Sequence, residues 1–149
     1  MNPDIVIVVA YGQLISKKIL NIPKEGFINI HASLLPKWRG AAPIQRSIMN
    51  SDTETGISIM KIVEKLDAGP VMKVIKIKID DSINTENLSK NLSKIGSESI
   101  VKVLDDIFTR KFEFIEQNHK DATYAKKITK EEAEINWNNS AKKILAKIN

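Results

Sequence analysis

Three features are scarce or missing in this sequence, and each absence excludes a class of protein. The 149 residues contain no cysteine, which excludes disulfide scaffolds and thiolate metal sites and suits a reducing cytoplasm. Aromatic residues make up only 5% of the chain, so the sequence shows no platform of rings for stacking single-stranded nucleic acid. The longest apolar run, Ile5 to Ala10, is far below the roughly 20 residues that a membrane-spanning helix needs.

The N-terminus and the charge pattern narrow the expectation further. The first residues carry no basic region of the kind that opens a signal peptide, so we expect a cytoplasmic protein without a membrane partner. The net charge of +5 is compatible with an RNA partner, but the lysines are scattered and most of them suit a solvated surface. Lys37 and Arg39 are interpreted as loop charges that contact either a phosphate or solvent.

Apolar periodicity predicts strands that alternate with helices, which indicates an α/β domain. We expect an open, mostly parallel, Rossmann-like sheet in which the first strand is buried on both faces. The fourth strand is expected at an edge, because Ile75, Ile77 and Ile79 alternate with two lysines. The predicted strands are Ile5–Ala10, Phe27–Ala32, Thr55–Val63 and Val71–Ile79, and the predicted helices are Gln13–Leu20, Ala42–Met49, Thr85–Ile107 and Glu131–Ile148.

The second predicted strand carries the chemistry. Residues two apart in a strand point to the same side, so Asn29 and His31 share one face near the carboxyl end, where α/β sheets bind ligands. Asp67 lies in a turn between two later strands and is expected to reach the same end. An amide can stabilise an oxyanion, a histidine can exchange a proton, and a carboxylate can hold that histidine charged. A core histidine and two turn-forming side chains are the plainer alternative.

Several segments resemble the folate-dependent formyltransferases, most closely the branch that acts on initiator tRNA. The central match is Asn29-Ile30-His31-Ala32-Ser33-Leu34-Leu35-Pro36, followed by Trp38-Arg39-Gly40-Ala41-Ala42-Pro43-Ile44. Leu66-Asp67-Ala68-Gly69 resembles the aspartate loop of the family, and Ala10-Tyr11-Gly12-Gln13-Leu14-Ile15 resembles the segment that lines its folate pocket. Residues 124–137 resemble the connection into a tRNA-binding C-terminal domain, where Trp137 is expected to pack a linker helix onto the domain.

The resemblance implies transfer of a formyl group from 10-formyltetrahydrofolate to the amino group of methionine on initiator tRNA, without a metal. It assigns catalysis to Asn29, His31 and Asp67, with the first two stabilising the oxyanion and the third holding the histidine charged. It assigns binding of the folate to two segments and one further residue. These are Tyr11, Gly12, Gln13 and Leu14; Ser33, Leu34, Leu35 and Pro36; and Leu66.

The resemblance also implies an organisation in two parts. Residues 1–109 correspond to the second part of a catalytic domain that lacks its N-terminal strands, and residues 110–149 to a linker and the start of the tRNA-binding domain. We expect a monomer whose transfer activity is impaired, or one that pairs with a separate N-terminal fragment.

Other readings of the same residues remain open. The chain could serve another 10-formyltetrahydrofolate-dependent transferase or hydrolase, or it could be a non-catalytic folate-binding remnant. A small basic RNA-binding module is a further alternative, but it leaves Asn29, His31 and Asp67 unexplained. Activity with a small amine rather than charged tRNA distinguishes the first of these from the main hypothesis.

Overall fold

The computed structural model describes residues 2–149, which form a four-stranded sheet, a two-stranded sheet and the helices packed on them. In chain order the elements are β1 (Val6–Val8), α1 (Lys17–Leu20), β2 (Phe27–His31), β3 (Arg39–Gly40), α2 (Pro43–Met49), β4 (Glu54–Lys61), β5 (Val71–Lys78), α3 (Thr85–Phe108), β6 (Tyr124–Ala125) and α4 (Ala141–Ile148). Short 3₁₀ turns occur at His119–Asp121 and Glu131–Ala133. The α/β class predicted from the sequence is confirmed.

The larger sheet has the strand order β1, β2, β4, β5, and it is mixed rather than mostly parallel. β1 pairs with β2 in parallel, whereas the β2–β4 and β4–β5 pairs are antiparallel. The expectation of a mostly parallel sheet was therefore wrong. The reason is clearest between β4 and β5, because residues 62–70 are too short a connection for the crossover of a dozen or more residues that parallel strands need.

The two outer strands of this sheet differ in how well the sequence predicted them. β5 lies at one edge with its lysines towards solvent, which confirms the interpretation of its Ile/Lys alternation. β1 was expected to be buried on both faces, but within residues 2–149 it is the other edge strand and only half-buried. Val9, directly after it, is 61% exposed.

The core lies between the sheet and α3. Apolar residues at helical spacing on α3 meet the buried face of β2 and β4, where Ile28, Ile57 and Ile59 are almost inaccessible to solvent. Gly96 allows α3 to approach β2 closely, since a Cβ at this position would lie 3.3 Å from the Ile30 side chain. The helix begins at Thr85 as predicted, and its N-cap is Asn84, whose side chain accepts a hydrogen bond from the Asn87 amide. The buried residues of α3 are Leu88, Leu92, Gly96, Val103 and Ile107.

Residues 110–124 follow α3 and were predicted to be a polar linker, but part of this segment is bound to the domain. β6 pairs in parallel with β3, and the Arg39 and Ala41 amides donate to the carbonyls of Thr123 and Ala125. Farther back, Ile115 exchanges two backbone hydrogen bonds with Val71. Two-residue strands have no periodicity to read, so the sequence did not reveal this pairing.

The C-terminal region is less helical than expected. The predicted helix Glu131–Ile148 is divided into a 3₁₀ turn and α4, which begins after the Ser140 N-cap. Asn138, Asn139 and Ser140 favour turns and caps over a helix interior, which explains the break. Trp137 is 75% exposed, so its expected packing on the domain was wrong. Among residues 2–149, no helix combines the length and the apolar character needed to cross a bilayer.

Candidate active site

The predicted catalytic residues come together on one face of the larger sheet, beside the interior strand β2. On β2, Ile28 faces the core, while Asn29 and His31 lie on the opposite face, as the alternation predicted. His31 is 6% exposed and Asn29 is half-buried. Asp67 reaches His31 from the β4–β5 connection, with its Oδ2 atom 3.7 Å from Nδ1 of the imidazole.

The His31 ring has an oxygen acceptor near each nitrogen. Its Nε2 atom lies 2.9 Å from the carbonyl oxygen of Trp38, so a proton on Nε2 donates to that carbonyl. Its Nδ1 atom faces the Asp67 carboxylate, and a second proton there would form an ion pair. The ring therefore has a hydrogen-bond acceptor at Nε2 and a carboxylate within ion-pair distance of Nδ1.

The Asp67 carboxylate is held by the loop that covers the site. Its Oδ2 atom accepts a hydrogen bond of 2.8 Å from the backbone amide of Gly40. Gly40 has φ +117°, and a Cβ there would lie only 2.8 Å from the carbonyl oxygen of Ala125, so this position requires glycine. Asp67 has φ +44°, a left-handed conformation that aspartate tolerates better than most residues.

The Ser33–Pro36 segment connects β2 to this loop and is fastened to β4. The Ser58 hydroxyl accepts from the Leu35 amide at 3.0 Å and donates to the Ser33 carbonyl at 2.7 Å. The Ser33 hydroxyl is fully buried and donates to the Lys37 carbonyl at 2.5 Å. Ser33 thus shapes the loop in this structure, and a direct role in folate binding stays a prediction. Leu34, Leu35 and Pro36 are half-buried.

The other predicted folate-binding residues are exposed. Tyr11, Gly12, Gln13 and Leu14 follow β1, whose Val8 is in register with Asn29 of β2. Because these two strands are parallel, the loop after β1 emerges at the end of the sheet where His31 lies. Leu66 is exposed beside Asp67. Their roles in binding stay predictions.

Sequence reasoning missed a buried polar cluster behind Asp67. Arg39 is only 1% exposed, so its interpretation as a surface loop charge was wrong. Its guanidinium donates to Gln117 Oε1 and lies 2.9 Å from Nδ1 of His119. Lys37 pairs with Asp52 at 2.9 Å. Arg39 and Gln117 are 78 residues apart, and no local pattern signals such a pairing.

A groove of about 540 Å³ lies on the other side of the Trp38 loop and does not include His31. Basic and aromatic side chains dominate its lining, and Arg46 crosses it to an ion pair of 2.5 Å with Glu132. The lining residues are Trp38, Arg46, Met49, Asn50, Tyr124, Lys126, Lys127, Thr129 and Glu132. In the part of the chain that the structure describes, no cluster of side chains could hold a metal ion.

Comparison with known proteins places the chain in a family. A family model described as formyl transferase matches residues 1–104. The chain is 62% identical over all 149 residues to the methionyl-tRNA formyltransferase of Pelagibacter ubique, and 49% identical over 138 residues to that of Wigglesworthia glossinidia brevipalpis. It covers 48% and 43% of those two proteins, so it spans about half the length of the curated relatives that it matches.

Solved structures show the same fold. A 4-N formyltransferase from Francisella tularensis superimposes with a TM-score of 0.82 at 26% identity, over 97% of this chain and 59% of that one. HypX from Aquifex aeolicus, solved with tetrahydrofolic acid, superimposes with a TM-score of 0.84 over 98% of this chain and 25% of that one, although the identity is 18%. With the family model matching well over half of its residues, the chain belongs to the formyl transferase family.

Proposed function

We propose that this chain carries the catalytic residues for formyl transfer from 10-formyltetrahydrofolate to the amino group of methionine on initiator tRNA. One observation carries the proposal: Asn29 and His31 share a strand face, and the Asp67 carboxylate lies 3.7 Å from the imidazole. The high identity to two methionyl-tRNA formyltransferases supports the choice of acceptor.

The mechanism follows from the chemistry of these groups. The methionine amine attacks the formyl carbon and forms a C–N bond, which leaves a tetrahedral oxyanion. The Asn29 amide and the protonated His31 stabilise that oxyanion, and Asp67 stabilises the imidazolium. The bond from carbon to the folate nitrogen then breaks, and the proton lost by the amine passes through water to that nitrogen. Tetrahydrofolate leaves, and no metal takes part.

The surface beside His31 fits the folate proposal. The backbone amides and carbonyls of Tyr11–Leu14 lie in an exposed segment without regular structure, so they are free to bond a polar ring such as the pterin. Leu14 and Leu66 are exposed apolar side chains on the two segments expected to enclose the pterin. Leu34, Leu35 and Pro36 complete the proposed wall from the Trp38 side.

The groove beyond Trp38 is our candidate path for the acceptor end of the tRNA. Lys126 and Lys127 supply positive charge for phosphates, and the exposed Tyr124 offers a ring on which a base can stack. The proposal further includes a monomeric chain in the cytoplasm, with residues 110–149 as the linker towards a tRNA-binding domain. A separate N-terminal fragment would supply the remaining tRNA contacts.

The first experiment is a thermal melt of the purified chain with and without a stable 10-formyltetrahydrofolate analogue. We expect a cooperative transition that the analogue raises, because a ligand that binds only the folded state adds stability. A melting temperature that the analogue does not change contradicts the folate proposal for this chain.

Transfer assays then test the catalytic assignments. The parent, alone or with an N-terminal fragment of a relative, is compared with Asn29→Ala and His31→Ala. We expect each to lower turnover by about 10²–10³, the usual effect of losing an oxyanion donor. Asn91→Ala, exposed on α3, is the matched control. Parent-like turnover in either site variant contradicts these roles, and transfer to an amino sugar but not to charged tRNA would reassign the acceptor.

A further inference from the structure

We infer that Gln117 is a positioning residue, which holds the Asp67 loop so that its carboxylate meets His31, and that the buried Arg39 holds Gln117 in place. The inference rests on the proposed function for its catalytic meaning, but the geometry itself can be tested without substrate. Gln117 lies in the segment that the sequence presented as a polar linker, and none of the roles assigned above uses it.

The contacts of Gln117 with the loop are specific. Its Nε2 atom donates to two carbonyl oxygens of the β4–β5 connection, that of Asp67 at 3.0 Å and that of Gly69 at 2.6 Å. A side-chain amide has two N–H donors, so one group satisfies both carbonyls. The side chain is 8% exposed, which leaves little solvent to replace these bonds.

The Asp67 loop needs this support from one side only. On the other side it lies directly against β4, since a Cβ on Gly69 would approach the Lys61 carbonyl oxygen to 1.9 Å. Asp67 itself has φ +44°, a conformation that costs free energy and persists where its surroundings hold it. Gln117 is therefore placed to fix the backbone of the loop that carries Asp67, so that its carboxylate meets the Gly40 amide and His31.

Arg39 determines which way the Gln117 amide points. A guanidinium can only donate, and Arg39 approaches Gln117 Oε1 with Nε at 3.2 Å and Nη2 at 2.6 Å. The oxygen of the amide must consequently face Arg39, and its NH₂ group must face the loop. The same Nη2 atom lies 2.9 Å from His119 Nδ1, so that nitrogen serves as an acceptor. This chain of donors runs from Arg39 through Gln117 to Asp67.

The Gly40 amide provides a readout that needs no activity, because it donates to Asp67 Oδ2 at 2.8 Å. Its neighbours report on the fold instead: the Arg39 and Ala41 amides donate to backbone carbonyls of Thr123 and Ala125. Release of the Asp67 carboxylate should therefore expose the Gly40 amide alone. Loosening of the whole region should expose all three amides together.

The test is hydrogen exchange resolved by ¹⁵N NMR on the full chain and its Gln117→Glu variant. Glutamate keeps an oxygen for Arg39 but has no N–H for the two loop carbonyls. We expect exchange at Gly40 to rise at least tenfold while Arg39 and Ala41 keep their rates within about twofold. Gln117→Met removes the donors without adding charge, and it carries the test if the glutamate variant does not fold. Gln45→Glu and Gln45→Met, half-buried on α2, are matched controls.

Unchanged exchange at Gly40 would overturn the inference, and so would an equal rise at all three amides. Turnover adds a second criterion: Gln117→Glu should lower kcat at least tenfold in the parent but cause no further loss in an Asp67→Asn background. Additive losses would overturn the inference, because Gln117 would then act independently of Asp67. An inactive parent would count against the proposed function alone, since the exchange result decides the positioning role by itself.

Discussion

β2 has a neighbour on each side, and the two neighbours are built differently. β4 has eight residues, and all of its positions from Thr55 to Met60 are buried. β1 has three residues, all half-buried, and it leads into an exposed loop. On the β4 side, Ser58 and the β4–β5 connection hold the groups around His31. On the β1 side lie the residues expected to bind folate.

Under the proposed function, this difference separates two tasks. Groups that stabilise a transition state must be fixed in advance, and the β4 side supplies packing and hydrogen bonds for that purpose. Groups that admit and release a large ligand come from less stable parts of a structure, and the loop after β1 has few contacts to hold it. The contrast predicts that mutations on the two sides will have different consequences.

The largest difference is expected for the same truncation on the two neighbours of β2. Ile59→Ala on β4 removes a side chain with 0% exposure and should lower the free energy of unfolding by about 3–4 kcal/mol, since the packed surroundings cannot collapse around the cavity. Ile7→Ala on β1 removes a half-buried side chain and should cost about 1–2 kcal/mol. Urea denaturation measures both values, and equal costs would remove the basis of the comparison.

The next effect concerns ligand binding on the β1 side. Gly12 has φ +75°, and nothing lies within 4 Å of where a Cβ would be, so Gly12→Ala changes backbone preference without a steric clash. We expect stability to fall by only about 1 kcal/mol, whereas the affinity for a folate analogue falls about tenfold because the loop leaves its left-handed conformation. Calorimetry measures the affinity.

Gly12→Asn is the control for this prediction, because asparagine tolerates the left-handed region and should retain most of the binding. Equal losses in the alanine and asparagine variants would show that the backbone conformation is not what matters at this position.

A smaller effect concerns the two edge strands. β5 carries Lys73, Lys76 and Lys78, and charged edges resist pairing with another chain. β1 and the residue after it are apolar. Val9→Lys should leave the free energy of unfolding within about 0.5 kcal/mol of the parent and should reduce self-association. Lys76→Val should increase self-association. Light scattering at rising protein concentration measures the self-association of both variants. Parent-like self-association of Val9→Lys would mean that β1 does not pair with another chain in the parent either.

The smallest effect lies outside both strands, at the Arg46–Glu132 pair. The hydrogen bond from the Arg46 guanidinium holds the pKa of Glu132 at about 2, against an ordinary value of 4.5. A carboxyl whose pKa is lowered on folding adds stability that is complete above pH 4.5 and disappears as the pH falls towards 2. The melting temperature of the parent should therefore exceed that of Glu132→Gln slightly at pH 7, and the two should converge near pH 2. A gap that persists at pH 2 would contradict the assignment of the pKa to this pair.

Local patterns in the sequence were sufficient for part of the candidate site. Alternation along β2 placed Asn29 and His31 on one face. Asp67 was expected at the end of the sheet where His31 lies, but the β4–β5 connection leaves the sheet beside Phe27, at the other end of β2, and Asp67 reaches His31 over the face of the sheet. The partners that hold these groups were not predictable in the same way. The carbonyl of Trp38 is a backbone group that any residue could supply, and Gln117 lies 50 residues from Asp67.

The burial of β1 was mispredicted for a related reason. Apolar character showed where strands lie, but it does not tell whether a strand has a neighbour on both sides or on one side only. β1 has the composition of an interior strand and the position of an edge strand among residues 2–149. Burial depends on the assembled sheet, and a single segment does not encode it.

The short pairing of β3 with β6 has a mechanical consequence. Thr123 accepts hydrogen bonds from the Trp38 and Arg39 amides, and the carbonyl of Trp38 orients the His31 ring. Residues 123–125 thus connect the imidazole to the chain that continues towards α4. A displacement of that chain would move the ring through two hydrogen bonds, the one from the Trp38 amide to Thr123 and the one from the ring to the Trp38 carbonyl. The orientation of the His31 ring therefore depends on residues more than 90 positions away in the sequence.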